Sequence, residues 1–265
     1  NAGGPGNTIT GTKNDGINVT TATGAITIGP NAGQRVQPAV IAADDAIRTT
    51  SAGPVTIFTG GNLTGDSDAN GVGNGVKVVN AGNGVTVTID TAGGAIKAGS
   101  NGIFVSTVLG NGVTTNITNT DSIDVSGNAG IQVNGKNGDT TIVNKGNIAG
   151  TAFGSTGDNG ILANTTTGTI SITNNGNIGT GGAGNGVDVA GIIANHTGGG
   201  SNTVTVINTG NIFVDTGGTF GIRAFTAGNG AVLIQNSGII DPPSVGLSGS
   251  GGGQVTVQTS ANVTA

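Results

Sequence analysis

The feature that most constrains the fold of this 265-residue chain is an internal repeat of about 29 residues. Each unit opens with a small residue followed by an aliphatic one. The nine pairs are Gly16-Ile17, Ala46-Ile47, Gly75-Val76, Gly102-Ile103, Gly130-Ile131, Gly160-Ile161, Gly191-Ile192, Gly221-Ile222 and Gly246-Leu247. A period of this length is typical of a solenoid, in which each unit buries its apolar side only by stacking on its neighbours.

A second segment of each unit is centred on one anchor residue. The anchors are Asn119, Asn144, Asn174, Asn208 and Asn236, with Thr59 and Thr259 as variants. Aliphatic residues stand two positions before and four positions after each anchor, and a mostly small residue stands two positions after it. Alternation with period two indicates β-strands rather than helices. The segment therefore predicts a strand, a bend and a second strand around one interior.

These patterns together predict an all-β fold, a parallel β-helix of about nine coils of roughly 25–31 residues. Equivalent strands of successive coils would pair at about 4.8 Å, so nine coils would extend over roughly 40 Å. We expect the five asparagines to form an internal ladder, in which their amides bond each other and the bend carbonyls. The small residues that follow, mostly glycine, suit a tight bend.

The repeat predicts a single domain over residues 1–265, which we expect to be part of a longer chain or assembly. Coils are regular over 100–265 and less regular over 16–99. Near residues 93–94 the pattern shifts by one residue, which indicates a bulge. The region 29–54 fits either a coil with an irregular excursion or a short helix packed on the side.

The composition disfavours several classes of function. With no cysteine, the chain has no disulfide framework, thiolate nucleophile or cysteine-ligated metal. The net charge of −5, with only eight scattered basic residues, argues against a nucleic-acid partner. No apolar stretch approaches the roughly 18 residues of a transmembrane helix. Glycine supplies 55 residues, but it follows no three-residue period that would indicate collagen.

Two units carry a resemblance to a known family. One reads Gly-Ile-Leu-Ala-Asn at 160–164 and Thr-Ile-Ser-Ile-Thr-Asn-Asn-Gly-Asn-Ile at 169–178; the other reads Gly-Ile-Ile-Ala-Asn at 191–195 and Val-Thr-Val-Ile-Asn-Thr-Gly-Asn-Ile at 204–212. They resemble passenger domains of bacterial autotransporters and related β-helical surface adhesins. The resemblance implies a right-handed β-helix that is exported across the outer membrane and displayed or released at the cell surface.

The resemblance also implies a function. We expect a non-catalytic structural or adhesive protein that mediates adhesion, aggregation or biofilm formation. Its expected partners are neighbouring coils that stack end to end, or a glycan or protein of a host or cell surface. A second hypothesis is a self-assembling subunit of an extracellular filament, because exposed coil edges are templates for strand pairing. A third is a carbohydrate-active lyase or hydrolase, since such enzymes are also built on β-helices.

Residues for the third hypothesis are few. Four elements resemble those of polygalacturonases, though in a different order: Asn119-Thr120-Asp121, Asp44-Asp45, His196 and Arg223. A calcium-dependent lyase would need acidic ligands and a basic residue on neighbouring coils, and only Asp188, Asp215 and Arg223 lie even roughly one unit apart. The single histidine and the absence of glutamate leave little material for other catalytic centres. We therefore expect no catalytic residues.

A candidate calcium site lies at Asp66, Asp68 and Asn70. Residues 66–71 read Asp-Ser-Asp-Ala-Asn-Gly and match the start of an EF-hand loop, in which alternating oxygen ligands wrap the cation. The twelfth position is Lys77 instead of a bidentate glutamate, so a polar loop between coils explains the sequence equally well. We predict no cofactor, with calcium at these three residues as the alternative.

Overall fold

The computed structural model describes residues 8–150, 159–180, 186–215 and 217–264. Over these residues the chain forms 26 β-strands and no helix. The strands belong to three stacks, here called sheets A, B and C, and every strand pair within them is parallel. The chain passes through A, then B, then C, and begins the next coil.

Sheet A has short strands and continues through single bridges. Its first six strands are β1 (Thr8–Gly11), β4 (Ala39–Ala42), β7 (Leu63–Thr64), β10 (Ala95–Ala98), β13 (Ser122–Val125) and β16 (Ile148–Ala149). The stack then runs through a bridge at Ile178 to β21 (Ile212–Phe213) and β24 (Ile240–Asp241), and a last bridge joins Ile240 to Val263.

Sheet B contains the first segment of every repeat. Its nine strands are β2 (Ile17–Thr20), β5 (Ile47–Ser51), β8 (Val76–Asn80), β11 (Asn101–Thr107), β14 (Ala129–Gly135), β17 (Asn159–Thr165), β19 (Ala190–His196), β22 (Phe220–Thr226) and β25 (Val245–Ser250).

Sheet C contains the strands that end at the anchor residues. Its nine strands are β3 (Ile26–Ile28), β6 (Val55–Thr59), β9 (Thr86–Thr91), β12 (Thr114–Asn119), β15 (Thr140–Asn144), β18 (Ile170–Asn174), β20 (Val204–Asn208), β23 (Val232–Asn236) and β26 (Val255–Thr259).

The strand register confirms the predicted parallel β-helix. The aliphatic residue of each opening pair is paired with its counterpart on the next coil, from Ile17 with Ile47 through to Ile222 with Leu247. Sheets B and C each stack nine strands. Nine stacked strands are separated by eight intervals, so the architecture is a β-solenoid of about eight turns.

The shift near residues 93–94 lies at the corner between β9 and β10. Thr91 pairs with Thr59 and Asn119, so it occupies the anchor position, and Ile96 pairs with Leu63 and Ile123. Ile96 stands five positions after Thr91, whereas Ile123 on the next coil stands four positions after Asn119. Gly93 absorbs the additional residue with a φ of +94°, in the left-handed region that glycine tolerates.

The region 29–54 is part of the coil stack. Residues 39–42 form β4, which pairs with β1 on one side and β7 on the other. The irregular part is a loop over 29–38, in which Gly29 has a φ of +66° and Val36 bridges to Thr59. The region is therefore a coil with an excursion.

One apolar core runs along the axis of the solenoid. Inward side chains of all three sheets form columns of valine and isoleucine, and those of the central coils, such as Ile103, Ile131 and Ile142, are fully buried. β-Branched residues suit this pleated, half-buried surface. Each fully buried aliphatic side chain stabilises the fold by about 1.5–3 kcal/mol relative to an exposed one.

The anchor asparagines form a buried column at the corner between sheets C and A. Each side-chain Nδ2 donates to the Oδ1 of the next asparagine at 2.7 Å, from Asn119 through to Asn236. Thr91 Oγ1 donates to Asn119 Oδ1 at one end, and Asn236 Nδ2 donates to Thr259 Oγ1 at the other. Hydrogen-bonded side chains of one type thus continue the coil-to-coil stacking of the backbone.

The second amide hydrogen of each ladder asparagine satisfies a backbone carbonyl in its own coil. Asn144 Nδ2 donates to the carbonyl oxygen of Gly146 at 2.8 Å, and Asn174 Nδ2 donates to that of Gly176 at 2.7 Å. The remaining three asparagines make the same contact two residues ahead. A buried carbonyl without a donor would cost about 1–3 kcal/mol, so the ladder stabilises the bend and the stacking together.

The glycines of this bend are required by close approach of the coils. A Cβ on Gly176 would lie 1.9 Å from the carbonyl oxygen of Gly146, and one on Gly210 would lie 1.9 Å from that of Gly176. Neither glycine has a positive φ. Any side chain here would therefore push successive coils apart, which is a stronger constraint than the tight bend inferred from the sequence.

Replacing Gly176 by alanine should destabilise the solenoid by about 2 kcal/mol, because the new methyl group meets backbone atoms that cannot move without breaking strand pairs. The matched control is Gly199→Ala, since a Cβ at Gly199 meets nothing within 4 Å. Urea unfolding followed by circular dichroism measures both. Equal midpoints for the two variants would contradict the close approach.

Replacing Asn174 by alanine should cost about 3 kcal/mol, because it leaves Asn144 Nδ2, Asn208 Oδ1 and the Gly176 carbonyl buried without one partner each. Asn175→Ala is the control, since the side chain of Asn175 is exposed on the same bend. The free energy of unfolding is measured for both. If Asn174→Ala loses no more free energy of unfolding than the control, the ladder does not stabilise the fold.

Candidate functional site

The outer face of sheet B carries a groove that crosses four successive coils. Its floor consists of side chains that alternate with core valines and isoleucines and therefore point outward. These floor residues are paired in register from coil to coil: Lys77, Phe104, Gln132 and Leu162. The groove lies on the first repeat segment, where strands of up to seven residues give the sheet its width.

The rim of the sheet B groove is rich in amides. On one side the rim is formed by Val72 and by residues at or just before the start of each strand. On the opposite side it is formed by Asn134. The amides at the strand starts, here called the rim amides, are Asn74, Asn101, Asn128 and Asn159. Asn74 and Asn101 are buried, whereas Asn128 is exposed. Ser100 adds a hydroxyl to this rim. The surface is therefore polar at its edge and partly apolar at its floor.

A chain of hydrogen bonds orients the rim amides. Asn74 Nδ2 donates to Asp45 Oδ1 at 2.6 Å, and Asn101 Nδ2 donates to Asn74 Oδ1 at 2.9 Å and to Ser100 Oγ at 3.1 Å. Asn128 Nδ2 donates to the same Ser100 Oγ at 2.9 Å. The rim is therefore fixed on the buried Asp45, whose side chain is fully inaccessible.

Two rim oxygens have no donor. Asn101 Oδ1 and Asn159 Oδ1 are buried atoms without a hydrogen-bond partner. Asn101 as a whole is only 4% exposed. Both asparagines pair with Ala129 on the coil between them, so the amide contacts from coil to coil are interrupted at this position.

A cluster of three aspartates lies beside this groove. One carboxylate oxygen of each of Asp15, Asp44 and Asp45 lies within 4.8 Å of the others. Lys77 Nζ lies 3.3 Å and Arg48 Nη1 lies 3.7 Å from Asp45 Oδ2, so two cations offset the cluster. Burial, followed by the charges of Asp45 and Asp15, raises the pKa of the Asp44 carboxyl. Lys77 is thus held by Asp45 at the end of the groove floor.

Farther along sheet B, an arginine is flanked by two aromatic rings. The guanidinium carbon of Arg223 lies 5.4 Å from the ring centre of Phe220 and 5.8 Å from that of Phe225. Both distances are within the range of cation–π contacts. Arg223 belongs to the same outward column as Leu162, two coils farther on.

The three residues of the candidate calcium site are linked by hydrogen bonds within one loop. Asp66 is buried, and its two carboxylate oxygens accept the backbone N–H groups of Asn70 and Gly71 at 2.7 and 2.8 Å. Asp68 Oδ2 accepts the side-chain amide of Asn70 at 3.1 Å. Burial raises the pKa of the Asp66 carboxyl. Asp66 therefore closes its own loop through hydrogen bonds, and calcium binding at these residues stays a prediction.

The candidate catalytic residues lie in separate parts of the solenoid. Asp44 and Asp45 stand between β4 and β5, Asp121 is at a bend between sheets C and A, and His196 ends β19 on sheet B. Asp121 Oδ1 accepts the N–H of Gly94 at 2.9 Å, and burial raises the pKa of its carboxyl.

The lyase candidates also have local structural contacts. Asp215 Oδ1 accepts the N–H of Gly186 at 3.2 Å, and Asp188 is half-buried two residues after that glycine. Arg223 lies on the outer face of sheet B between its two rings. Asp215 and Arg223 therefore each make local structural contacts within the fold.

The repeat predicts that four variable loops, at 149–159, 179–190, 196–203 and 213–220, lie at the edges of the solenoid. Those at 196–203 and 213–220 lie at corners after β19 and β21, except for residue 216, which is outside the described residues. Most of the loop at 149–159, and residues 181–185 of the loop at 179–190, also lie outside the described part of the chain.

The repeat pattern alone does not predict the sheet B groove. The signal is nevertheless present, because aligning the units on their opening pairs places one outward residue directly after each aliphatic. That position reads Lys77, Phe104, Gln132 and Leu162 over four consecutive units. On sheet C the outward positions are mostly threonine, serine and asparagine. Larger and less uniform side chains therefore distinguish the two faces.

His196 occupies a buried corner position that is threonine on the neighbouring coils. It pairs with Thr165 and Thr226. Its Nδ1 lies 3.0 Å from Thr226 Oγ1, and Asn202 Nδ2 approaches its Nε2 at 3.4 Å. Because an amide Nδ2 only donates, Nε2 accepts and Nδ1 carries the proton in the neutral ring. Burial lowers the pKa of His196 below its usual value of 6.5.

The buried imidazole should make the solenoid sensitive to mild acid. A folded-state pKa below that of the unfolded chain means that stability is full above about pH 6.5 and falls as pH decreases toward the folded value. His196→Thr, which restores the residue of the neighbouring coils, should remove this component. The difference in melting temperature between pH 7.5 and pH 5.5 is compared for both proteins, so that shared effects of the aspartates cancel. An identical pH dependence would contradict the assignment.

The described residues contain no helix that is long and apolar enough to cross a membrane. Comparison with known proteins gives no relative: no family model matches the chain, and neither the curated proteins nor the solved structures contain a significant match.

Proposed function

We propose that this chain is a non-catalytic, adhesive β-helix of passenger type, displayed at or released from a bacterial cell surface after export across the outer membrane. Its role is adhesion, aggregation or biofilm formation. The observation that supports this proposal is the uninterrupted parallel pairing of nine strands in each of sheets B and C. Continuous backbone pairing along one axis gives a stiff rod.

The division between interior and exterior also favours an adhesive role. The interior repeats the same residue types on every coil, whereas the outer face of sheet B changes from coil to coil. A rigid scaffold that carries variable surface residues is a common way to build a binding protein. In the sheet B groove, side chains of four successive coils converge.

The second candidate is a filament subunit. On β26, Val255 and Val257 are 40% and 45% exposed, although their partners Val232 and Ile234 on the preceding coil are buried. Such a coil edge accepts a further coil, because its backbone groups and its apolar side chains continue the stack. A second copy of the chain that continued the stack at this edge would give a filament.

Electron microscopy and bead adhesion test the proposal together. The purified chain should appear as discrete rods, with the described coils extending over roughly 40 Å. Beads that carry the folded chain should aggregate or adhere to cells, whereas beads that carry heat-unfolded chain should not. Long uniform fibres would favour the filament. Release of sugar fragments from polysaccharides, without adhesion, would favour the enzyme and contradict the proposal.

A chelator arm in the same experiment addresses calcium. Rods, fibres or adhesion that disappear on chelation and return with calcium would favour the predicted site at Asp66, Asp68 and Asn70. Because Asp66 bonds backbone N–H groups in its own loop, we expect no change on chelation.

A further inference from the structure

We infer that the sheet B groove binds a linear, uncharged glycan that lies along the solenoid axis. This inference rests on the proposed adhesive function and names its ligand class and binding site. The site consists of the floor residues Lys77, Phe104, Gln132 and Leu162 and of the rim amides beside them.

The charge of the groove favours an uncharged ligand. Among the described residues, its floor and rim contain a single charged residue, Lys77, whose ammonium group lies 3.3 Å from the buried carboxylate of Asp45. The other polar residues are asparagine, glutamine and serine. Binding of an anionic polymer uses free cationic side chains, arginine above all, and the described part of the groove offers none.

The hydrogen-bonding groups of the rim match sugar hydroxyls. A carboxamide presents donors and an acceptor in one plane, and a hydroxyl group both donates and accepts. The exposed amide of Asn128 and the half-buried amides of Gln132 and Asn134 line the groove and can exchange hydrogen bonds with such hydroxyls.

The floor supplies apolar surface between the polar groups. Phe104 and Leu162 alternate with Lys77 and Gln132 on successive coils, and Phe104 and Leu162 are half-buried. A sugar ring has a C–H face that packs on such a side chain while its hydroxyls reach the rim. Binding sites commonly combine apolar contact area with a few oriented polar groups in this way.

The repetition of the site favours a polymer. Amides recur at the rim on four successive coils, with a spacing of about 4.8 Å per coil. One unit of an extended glycan is of comparable length, so successive units meet successive coils. A peptide that binds by adding a strand needs a free sheet edge, whereas the floor of this groove is the face of a paired sheet.

Calorimetric titration of the full chain tests the inference. The probes are unbranched oligomers, two to six units long, of glucose, mannose, xylose and N-acetylglucosamine, with oligogalacturonate as an anionic probe and a glycine–serine peptide as an uncharged non-sugar probe. At least one neutral series should bind, with an affinity that rises with length up to about four units, one per coil. Added salt should leave this affinity unchanged.

Variants locate the binding. Phe104→Ser should weaken the affinity tenfold or more. If Phe104→Ser does not fold, Gln132→Ala, which removes only an outward amide, tests the site instead. Leu233→Ser is the matched control, because Leu233 is a half-buried outward residue of sheet C. It should retain the affinity of the unaltered chain within twofold.

The inference is overturned if no neutral series binds the folded chain, if only the anionic probe or the peptide binds, or if neither groove variant changes the affinity. These results are separate from the bead assay. Adhesion without glycan binding would leave the adhesive function standing and remove the groove as its site. Glycan binding without adhesion would support the groove as a glycan site and contradict the adhesive function.

Discussion

A coil that turns sharply between sheets C and A leaves backbone carbonyls inside the protein, and the asparagine ladder supplies their donors. Each ladder amide bonds one carbonyl in its own coil and one amide in the next, so bend geometry and coil stacking depend on the same side chain. The bend glycines allow the coils to approach closely enough for this contact. Apolar columns then fill the remaining interior, and strand pairing follows from the stacking.

This dependence explains why the sequence predicts the fold so closely. Asparagine, glycine and aliphatic residues recur at fixed spacing because each coil must repeat the geometry of the last, and the register of sheets B and C follows those columns. The sequence predicts the structure less well where a coil departs from this spacing. The excursion over 29–38 pairs its backbone through a bridge from Val36 to Thr59, and the repeat contains no signal for that bridge.

The candidate site was less predictable for a related reason. Outward residues are free to vary, so a repeat search gives them no weight, and the groove emerges only when Phe104, Gln132 and Leu162 are set in register. Conversely, motif matching at Asp66 and Asp121 selected residues that the structure uses to satisfy backbone N–H groups. A loop aspartate can accept backbone N–H groups in this way, and the local sequence alone does not distinguish it from a metal ligand or a catalytic residue.

The ladder is tested most directly by hydrogen exchange of its side-chain amides, followed by NMR. In a buried, hydrogen-bonded column, the Nδ2 protons of Asn144, Asn174 and Asn208 should persist in deuterated solvent long after those of exposed asparagines such as Asn175 have exchanged. That result would support the account in which the interior corner holds the coils in register. Exchange of the ladder amides at the rate of Asn175 would contradict it.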